Sequence, residues 1–302
     1  MSEPAATNGR AGVTQAAALL FIHAQTSLHP GSGTALGVVD LPVQRERHTQ
    51  WPVIPGSTLK GIVRDACTRR NGDREKLQAV FGPEKSNAAD HAGALSLTDA
   101  RLLAFPVRSL KGVFAWVTCA AVLERLRRDV QLTGAGELDW RPPTAEPDKA
   151  LCPKESPLLT DGDKLILEEF EFTRVGEADA VAAWVAERAT NDDFTQQQLK
   201  QRLVVLHDDD FTHFVRHATE VTARVALDYE RKTVKRGALF YEEFLPPETV
   251  FYAVALAGAS RRKGHELNAG DVMEYVRAHL PPVLQIGGDE TIGKGLCAVR
   301  LT

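Results

Sequence analysis

Strand-like and helix-like segments alternate along most of this 302-residue chain, and several neighbouring strand-like segments are separated only by short turns. Apolar residues follow the helical period in residues 56–70 and 120–131, whereas residues 220–256 contain three strand-like runs. Tight turns between strands require antiparallel hairpins, which a doubly wound parallel sheet does not contain. The pattern therefore predicts an α+β fold with split βαβ units of the ferredoxin-like type.

The chain is predicted to form one domain over residues 1–302, because no fixed short repeat and no clean linker divides it. Residues 134–163 are rich in proline, glycine and charge, which predicts an irregular insertion rather than a core element. The small, polar residues 1–15 predict a frayed leader before a buried first strand at residues 16–28.

Composition excludes several classes of protein. The chain is 43% hydrophobic and 25% charged, without a run of eighteen apolar residues, so we expect a cytoplasmic protein with no membrane role. The net charge of −4 by itself argues against binding nucleic acid, although the distribution of the cations matters more than their sum. The cysteines are scattered and form no CxxC pair, which argues against a zinc site or a disulfide framework. They are Cys67, Cys119, Cys152 and Cys297.

A long loop over residues 30–56 contains four prolines and four glycines without helical or strand periodicity. Loops of this length are usually functional. Its glycines approach a dinucleotide-binding spacing, but no helix follows them, so we reject that site. Asp40 in this loop has the chemistry for catalysis, but an aspartate in a loop also commonly caps a turn. His29, the residue just before the loop, is predicted to be an exposed imidazole.

Cations concentrate around the predicted helix start GSTLKG. Ser57 and Thr58 are ordinary N-cap types, but Lys60 in the first turn opposes the helix dipole, which favours a phosphate-binding function. A solvated helix face is the alternative. The neighbouring cations are Arg45, Arg47, Arg64, Arg69 and Arg70, with Arg108 and Lys111 further along the chain.

The turn between the first two strands of residues 220–256 is also cationic, and it contains Tyr229. A hairpin of this kind is suited to contacting or wedging a nucleic-acid strand, although lysine and arginine also protect edge strands from aggregation. Adjacent Glu242 and Glu243 follow it, and because neighbouring strand residues face opposite sides, at most one of them serves a site. The cations of the turn are Arg224, Arg231, Lys232, Lys235 and Arg236.

Residues 286–295, IGGDETIGKG, match part of the P-loop spacing. Gly295 replaces the metal-binding Ser/Thr and a strand follows instead of a helix, so nucleotide hydrolysis is not predicted. The backbone amides with Lys294 would suit a phosphate of a polynucleotide, and a tight glycine-bearing hairpin is the equal alternative.

Four separated motifs, at residues 29–61, 105–118, 237–252 and 284–295, together resemble the RAMP-superfamily backbone subunit of the type III-B CRISPR effector, the Cmr complex. The resemblance implies a modified ferredoxin-like, RRM-like palm with an inserted helical region and a β-hairpin thumb, which we assign to residues 224–243. It also implies that copies of the chain stack as a helical filament on CRISPR RNA with other Cmr subunits. Each copy would cut the paired target RNA once, at intervals of six nucleotides.

The resemblance also assigns roles to residues. Asp40 matches the aspartate that carries ribonuclease activity in the family, with His29 and either Glu242 or Glu243 as weaker catalytic candidates. We expect Asp40 either to position Mg²⁺ or to take the proton of the attacking hydroxyl. Two alternatives stay open: a non-catalytic guide-binding filament subunit and a metal-independent guide-processing endonuclease. The residues expected to bind RNA are Arg45, Arg47, Ser57, Thr58, Lys60, Arg64, Arg108, Lys111, Arg231, Lys232, Lys235, Arg236, Gly287, Gly288, Gly293, Lys294 and Gly295.

Overall fold

The computed structural model describes residues 16–35, 37–70, 73–84, 90–134, 138–228 and 230–302, without the side chains of residues 236 and 237. Its strands are β1 (Ala16–Ala24), β2 (Val53–Ile54), β3 (Leu95–Leu97), β4 (Ala100–Arg108), β5 (Phe114–Cys119), β6 (Lys149–Cys152), β7 (Lys164–Leu167), β8 (Phe170–Glu177), β9 (Leu203–Leu206), β10 (Glu220–Asp228), β11 (Thr233–Phe244), β12 (Val250–Ala257), β13 (Val283–Gln285) and β14 (Leu296–Leu301). Its helices are α1 (Gly56–Arg69), α2 (Arg74–Phe81), α3 (Ala120–Thr133), α4 (Asp179–Ala189), α5 (Asp193–Arg202), α6 (Asp208–His217) and α7 (Ala269–His279), with a 3₁₀ turn at Glu290–Ile292.

Twelve strands form one large sheet in the order β13-β14-β1-β12-β4-β5-β9-β6-β8-β7, with β2 paired to β4 and β3 paired to β12. Most pairs are antiparallel, and the parallel pairs in the described residues are β5–β9 and β6–β8. This sheet, combined with seven helices in the described part of the chain, confirms the predicted mixture of antiparallel sheet and helix.

Strand β1 lies at the centre of the core. Seven consecutive residues from Ala18 to Ala24 are buried, as expected for a strand covered on both faces. It pairs with β12 on one side and β14 on the other, and helices α3, α4 and α7 contact it. The position of β1 fixes the start of the long loop, because His29 follows the strand by only five residues.

Strands β10 and β11 form a separate two-stranded antiparallel sheet, which we call the hairpin. It extends beyond the predicted thumb of residues 224–243 at both ends, to Glu220 and Phe244. Several apolar side chains of the hairpin are exposed, including Val221, Val225 and Leu239. Tyr229, which sequence analysis placed at its tip, lies outside the described residues.

The segment at residues 134–163 differs from the prediction. Strand β6 lies inside this segment and occupies an interior place in the sheet, where it pairs with β8 and β9. Ala150, Cys152 and Leu158 are fully buried. The strand is only four residues long and holds no β-branched residue, so its sequence carries little strand signal, and its place depends on partners distant in sequence.

No helix in the described ranges combines the length and the apolar character needed to cross a membrane.

Candidate active site

The loop that follows β1 returns to lie beside hairpin strand β11. The amide of Leu41 donates to the carbonyl of Tyr241 (3.0 Å), and the amide of Glu243 donates to the carbonyl of Leu41 (3.0 Å). These bonds pair Leu41 in parallel with Glu242. Asp40, which precedes this bridge, is thereby placed against the hairpin.

The Asp40 side chain is half-buried and is bonded to the hairpin backbone. Its Oδ2 atom accepts the amide hydrogen of Tyr241 at 2.7 Å, and this is its one side-chain hydrogen bond to the described residues. The bond joins residues 201 positions apart, so Asp40 does more than cap a local turn. It fixes the orientation of the carboxylate and leaves acceptor capacity for a proton or a cation.

His29 is buried, contrary to the prediction of an exposed imidazole. Its Nδ1 atom lies 2.7 Å from the carbonyl oxygen of Glu243, and because a carbonyl can only accept, Nδ1 carries the hydrogen. Its Nε2 atom lies 3.6 Å from Oε1 of Glu242. The ring also packs on Phe244, with centroids 5.5 Å apart. His29 therefore contacts three consecutive residues of strand β11.

Glu242 and Glu243 are both buried and make different contacts, as expected for neighbours on a strand. Glu243 accepts hydrogen bonds from Arg45 Nη2 (2.6 Å) and from the amide of Val43 (3.0 Å). Glu242 instead faces His29. Of the two glutamates, Glu242 is thus the one that shares a cluster with a second catalytic candidate.

An ionic cluster that no local sequence pattern indicates surrounds Glu242. Arg224 Nε lies 3.1 Å from Glu242 Oε2, and Arg224 Nη2 donates to Asp289 Oδ2 at 2.6 Å. Burial and then the nearby Asp289 carboxyl raise the pKa of Glu242, and His29 and Arg224 oppose that shift. The sequence predicts Arg224 only as a hairpin cation. Asp289 has no local signal beyond its place among glycines, since its partner lies 65 positions away.

Residues 286–295, which we call the glycine loop, pack against the segment that carries His29. The amide of Gly288 donates to the carbonyl of His29 at 3.0 Å. Gly287 has a φ of +84°, and a Cβ there would collide with the same carbonyl. Gly295 has a φ of +75° and approaches the carbonyl of Ile286 in the same way. These contacts explain two of the glycines structurally, whereas Gly293 has open space around it.

The start of α1 is capped from a distant part of the chain. Pro55 is the N-cap residue, and the amide of Gly56 donates to Asp99 Oδ1 at 2.7 Å. Ser57 and Thr58 lie exposed in the first turn and do not cap the helix. Burial, with Arg64 nearby, lowers the pKa of Lys60. The exposed hydroxyls are compatible with the predicted phosphate contact, which stays a prediction.

The predicted RNA-binding cations fall into two groups. Some are engaged by other protein groups: Arg45 by Glu243, Arg64 by the carbonyl of Pro83, and Arg108 by Glu168. Exposed side chains that form no ion pair with the described residues belong to Arg47, Lys111, Arg231, Lys232 and Lys235, whereas Arg108 is both exposed and paired. The side chain of Arg236 is outside the described part of the structure.

The structure brings together Asp40, His29, Glu242 and Glu243 with the glycine loop around the lower part of the hairpin. Arg108 and Lys111 lie at the β4–β5 turn, and Ser57, Thr58 and Lys60 lie on α1, so they belong to other elements. Within the described ranges, no three His, Cys, Asp or Glu side chains converge as metal ligands would.

Comparisons with known proteins identify the family of this chain. The sequence pattern of the RAMP superfamily matches residues 21–298. The chain is 39% identical over 287 residues to the CRISPR system Cmr endoribonuclease Cmr4 of Pyrococcus furiosus, covering 94% of this chain and 95% of that protein. The chain belongs to the RAMP superfamily and, within it, to the Cmr4 family. This confirms the family that the four sequence motifs indicated.

Solved structures show the same fold. A crystal structure of oligomeric Cmr4 from Pyrococcus furiosus matches with a TM-score of 0.73 and 32% identity, covering 95% of this chain and 97% of that one. A cryo-EM structure of the type III-B Cmr-beta complex bound to cognate target RNA contains a chain that matches with a TM-score of 0.74. That chain is 22% identical, with 94% of this chain and 96% of that chain covered, so it bears on the fold alone.

Proposed function

We propose that this protein is a backbone subunit of a type III-B CRISPR ribonucleoprotein, that it binds the CRISPR RNA, and that within the complex it cuts paired target RNA. The observation that carries the proposal is its 39% identity, over 94% of its length, to a protein named as a Cmr endoribonuclease. The activity would serve antiviral defence and act in the cytoplasm, where foreign transcripts are met.

The partners follow from the same relatives. An oligomeric Cmr4 crystal structure with a TM-score of 0.73 supports assembly of further copies of this chain into a filament, with other Cmr subunits bound to it. In this proposal a modified ferredoxin-like palm lies within the large sheet, and the hairpin of β10 and β11 is the thumb. Each thumb would interrupt the guide–target duplex once, so that cuts fall six nucleotides apart.

We assign the cleavage chemistry to Asp40. A ribose 2′-hydroxyl of the target attacks the adjacent phosphorus, the bond from phosphorus to the 5′-oxygen breaks, and the leaving oxygen takes a proton from water. The Asp40 carboxylate, fixed at 2.7 Å to the amide of Tyr241, accepts the proton of the attacking hydroxyl. A hairpin that splays one target nucleotide would supply the in-line geometry that a duplex forbids.

His29 and Glu242 would act indirectly, by positioning Asp40. Both are buried, and His29 is held by the carbonyl of Glu243, so neither side chain is placed to reach a ribose directly. We propose that they keep strand β11, and with it Tyr241 and Asp40, in the cleaving position. Glu243 does the same from the opposite face through Arg45.

Mg²⁺ is part of this proposal only in the presence of RNA. Asp40 is the single protein ligand that we assign, and Mg²⁺ usually keeps several waters and borrows phosphate oxygens. When bound, the ion would offset the negative charge that develops on the phosphate. The cations that we expect on the guide and target backbones include Arg47, Lys111, Arg231, Lys232 and Lys235, whose side chains are exposed, and Lys294 of the glycine loop.

The test is target cleavage by reconstituted complexes that contain wild-type protein, Asp40→Ala or Asp161→Ala. Asp161 is an exposed loop aspartate and serves as the matched control. Loss of a general base should slow cleavage by about 10² to 10⁴-fold in Asp40→Ala, while Asp161→Ala cuts normally and all three proteins bind guide RNA equally. Chelation of Mg²⁺ should also slow the wild type.

Three outcomes would redirect the proposal. Full cleavage by Asp40→Ala would remove Asp40 from the mechanism, and absence of cutting by wild-type complexes would favour the non-catalytic filament subunit. Cleavage of repeat RNA by the isolated chain without metal would instead identify the guide-processing endonuclease.

A further inference from the structure

Both strands of the hairpin and the glycine loop contribute to one ionic cluster. Arg224 comes from β10, Glu242 from β11 and Asp289 from the glycine loop. Arg224 contacts both carboxylates at once, at 3.1 Å from Glu242 and 2.6 Å from Asp289. The guanidinium is therefore a bridge between the hairpin and the glycine loop.

The cluster is held in place by burial and by charge. The side chain of Glu242 is only 7% exposed, and those of Arg224 and Asp289 are about one quarter exposed, at 26% and 27%. Removing the bridge would leave two carboxylates facing each other in a poorly solvated place, which is unfavourable. The hairpin and the loop are thus favoured in one relative position.

A second contact supports the same position. The Phe244 ring at the end of β11 lies under two cations, with Lys294 Nζ of the glycine loop 4.9 Å and the Arg224 guanidinium carbon 5.5 Å from its centroid. The amide of Gly288 bonds the carbonyl of His29, whose ring packs on Phe244. The loop and the hairpin therefore meet through packing as well as through charge.

Strand β11 connects this cluster to Asp40. Glu242 follows Tyr241, whose amide holds the Asp40 carboxylate at 2.7 Å. Leu41 bonds the strand on both sides of Glu242, to the carbonyl of Tyr241 and to the amide of Glu243. A displacement of β11 at Glu242 must consequently displace Asp40.

We propose that Asp289 is a positioning residue for RNA cleavage: through Arg224 it locks the glycine loop to the hairpin and so sets where strand β11 presents the Asp40 carboxylate. This inference rests on the proposed function. It implies that the loop expected to contact the guide RNA also controls the geometry of the cut on the target RNA.

The decisive comparison is Asp289→Asn against Glu290→Gln, in complexes reconstituted with guide RNA. Both variants remove one negative charge from adjacent positions of the same loop, so their general effects on RNA affinity should match. Glu290 is exposed and outside the cluster. We expect Asp289→Asn to lower the single-turnover cleavage rate at saturating target RNA about tenfold, equivalent to about 1.4 kcal/mol, with guide affinity within about twofold of Glu290→Gln.

A second variant keeps the inference testable if Asp289→Asn does not fold. Arg224→Lys keeps the positive charge on β10, but a compact ammonium on a flexible stem cannot reproduce the fork that bridges two carboxylates. It should show the same loss of rate, and the double variant Arg224→Lys/Asp289→Asn should cut no more slowly than Arg224→Lys alone, because both changes break one bridge.

The inference is overturned if Asp289→Asn cuts at the rate of Glu290→Gln, or if its slower cutting is fully restored by raising the target RNA concentration. A purely structural function would weaken guide binding and cleavage together, and that result also counts against it. Asp40→Ala is measured alongside: if it cuts like the wild type, the proposed function fails, whereas if it is inactive and Asp289→Asn is normal, only this inference fails.

Discussion

Arg45 is one of the cations predicted to bind RNA, but its guanidinium is bonded within the protein. Its guanidinium donates to the carbonyls of Gln50 (2.8 Å) and Val215 (2.9 Å) and to the carboxylate of Glu243 (2.6 Å). The side chains of Arg45 and Glu243 are 15% and 8% exposed. The pair therefore ties the long loop, α6 and β11 together, whatever contact it makes with RNA.

Replacing Arg45 with alanine should destabilise the free protein. Breaking a buried pair leaves Glu243 as an uncompensated carboxylate, which costs about 3 to 5 kcal/mol. Arg47→Ala, two positions away and exposed, should change the free energy of unfolding by no more than about 0.5 kcal/mol. Denaturant titration of both variants checks this. Equal stability of the two would show that Arg45 has no structural function.

Asp40 and His29 could be predicted from sequence as candidate residues, but the residues that contact them could not. His29 was expected to be exposed because its own neighbours are Pro30 and Gly31, which are typical of surface turns. It is buried because residues more than 200 positions away, Glu243 and Phe244, cover it. Contacts of that kind leave no local pattern, and the same is true of Asp289 and Arg224.

Among the elements, the glycine loop combines two demands on the backbone. Gly287 and Gly293 both have positive φ values, +84° and +78°, which L side chains rarely adopt. Only Gly287 also meets a neighbouring segment, at the carbonyl of His29, while Gly293 is open. Comparing substitutions at these two positions therefore separates the effect of backbone strain from that of close packing.

Gly287→Ala should be clearly more destabilising than Gly293→Ala. Gly293→Ala carries only the strain of a left-handed backbone, about 1 to 2 kcal/mol. Gly287→Ala adds a collision with backbone that cannot move without displacing His29, so we expect a loss of about 3 kcal/mol or more. Thermal unfolding of both variants measures the difference. If they unfold at the same temperature, the close approach to His29 contributes nothing.

Helices were predicted more accurately than strands. Helix α1 was expected at residues 56–70 and spans Gly56–Arg69, because its apolar residues repeat at helical spacing. Residues 164–175 have the composition of one strand but form two, β7 and β8, which turn at Glu168 with a φ of +50°. A glutamate in the left-handed region is not foreseen from residue preferences, since glycine and asparagine dominate such turns.

For the whole molecule, the reactivity of the four buried cysteines measures whether the core is closed. Cys67, Cys119, Cys152 and Cys297 are free and buried. Burial raises the pKa of Cys67 to about 11 and that of Cys297 to about 12. At pH 8 the reactive thiolate is therefore scarce as well as inaccessible.

A thiol reagent at pH 8 should accordingly find almost no reactive cysteine in the native protein and four after unfolding in denaturant. The time course of absorbance on addition of a chromogenic disulfide checks this. A single thiol that reacts within seconds under native conditions would mean that part of the core opens locally, and replacement of each cysteine by serine would identify the place.

Strand order was the part of the fold least accessible from sequence. The α+β class followed from hairpins and helices that are local, but the parallel pairing of β5 with β9 joins residues 116 and 203. The insertion of β6 between β9 and β8 likewise depends on tertiary partners rather than on its own four residues. Patterns of period two and period 3.6 report on single elements and not on their neighbours.

The hairpin of β10 and β11 shares no ladder with the twelve-stranded sheet. Residue pairs can therefore be added to or removed from its far end without breaking a hydrogen bond of the core. The near end has no such freedom, because Leu41 and Glu242 are joined there. Evolution can consequently adjust the length of this arm while the contacts that position Asp40 stay constant.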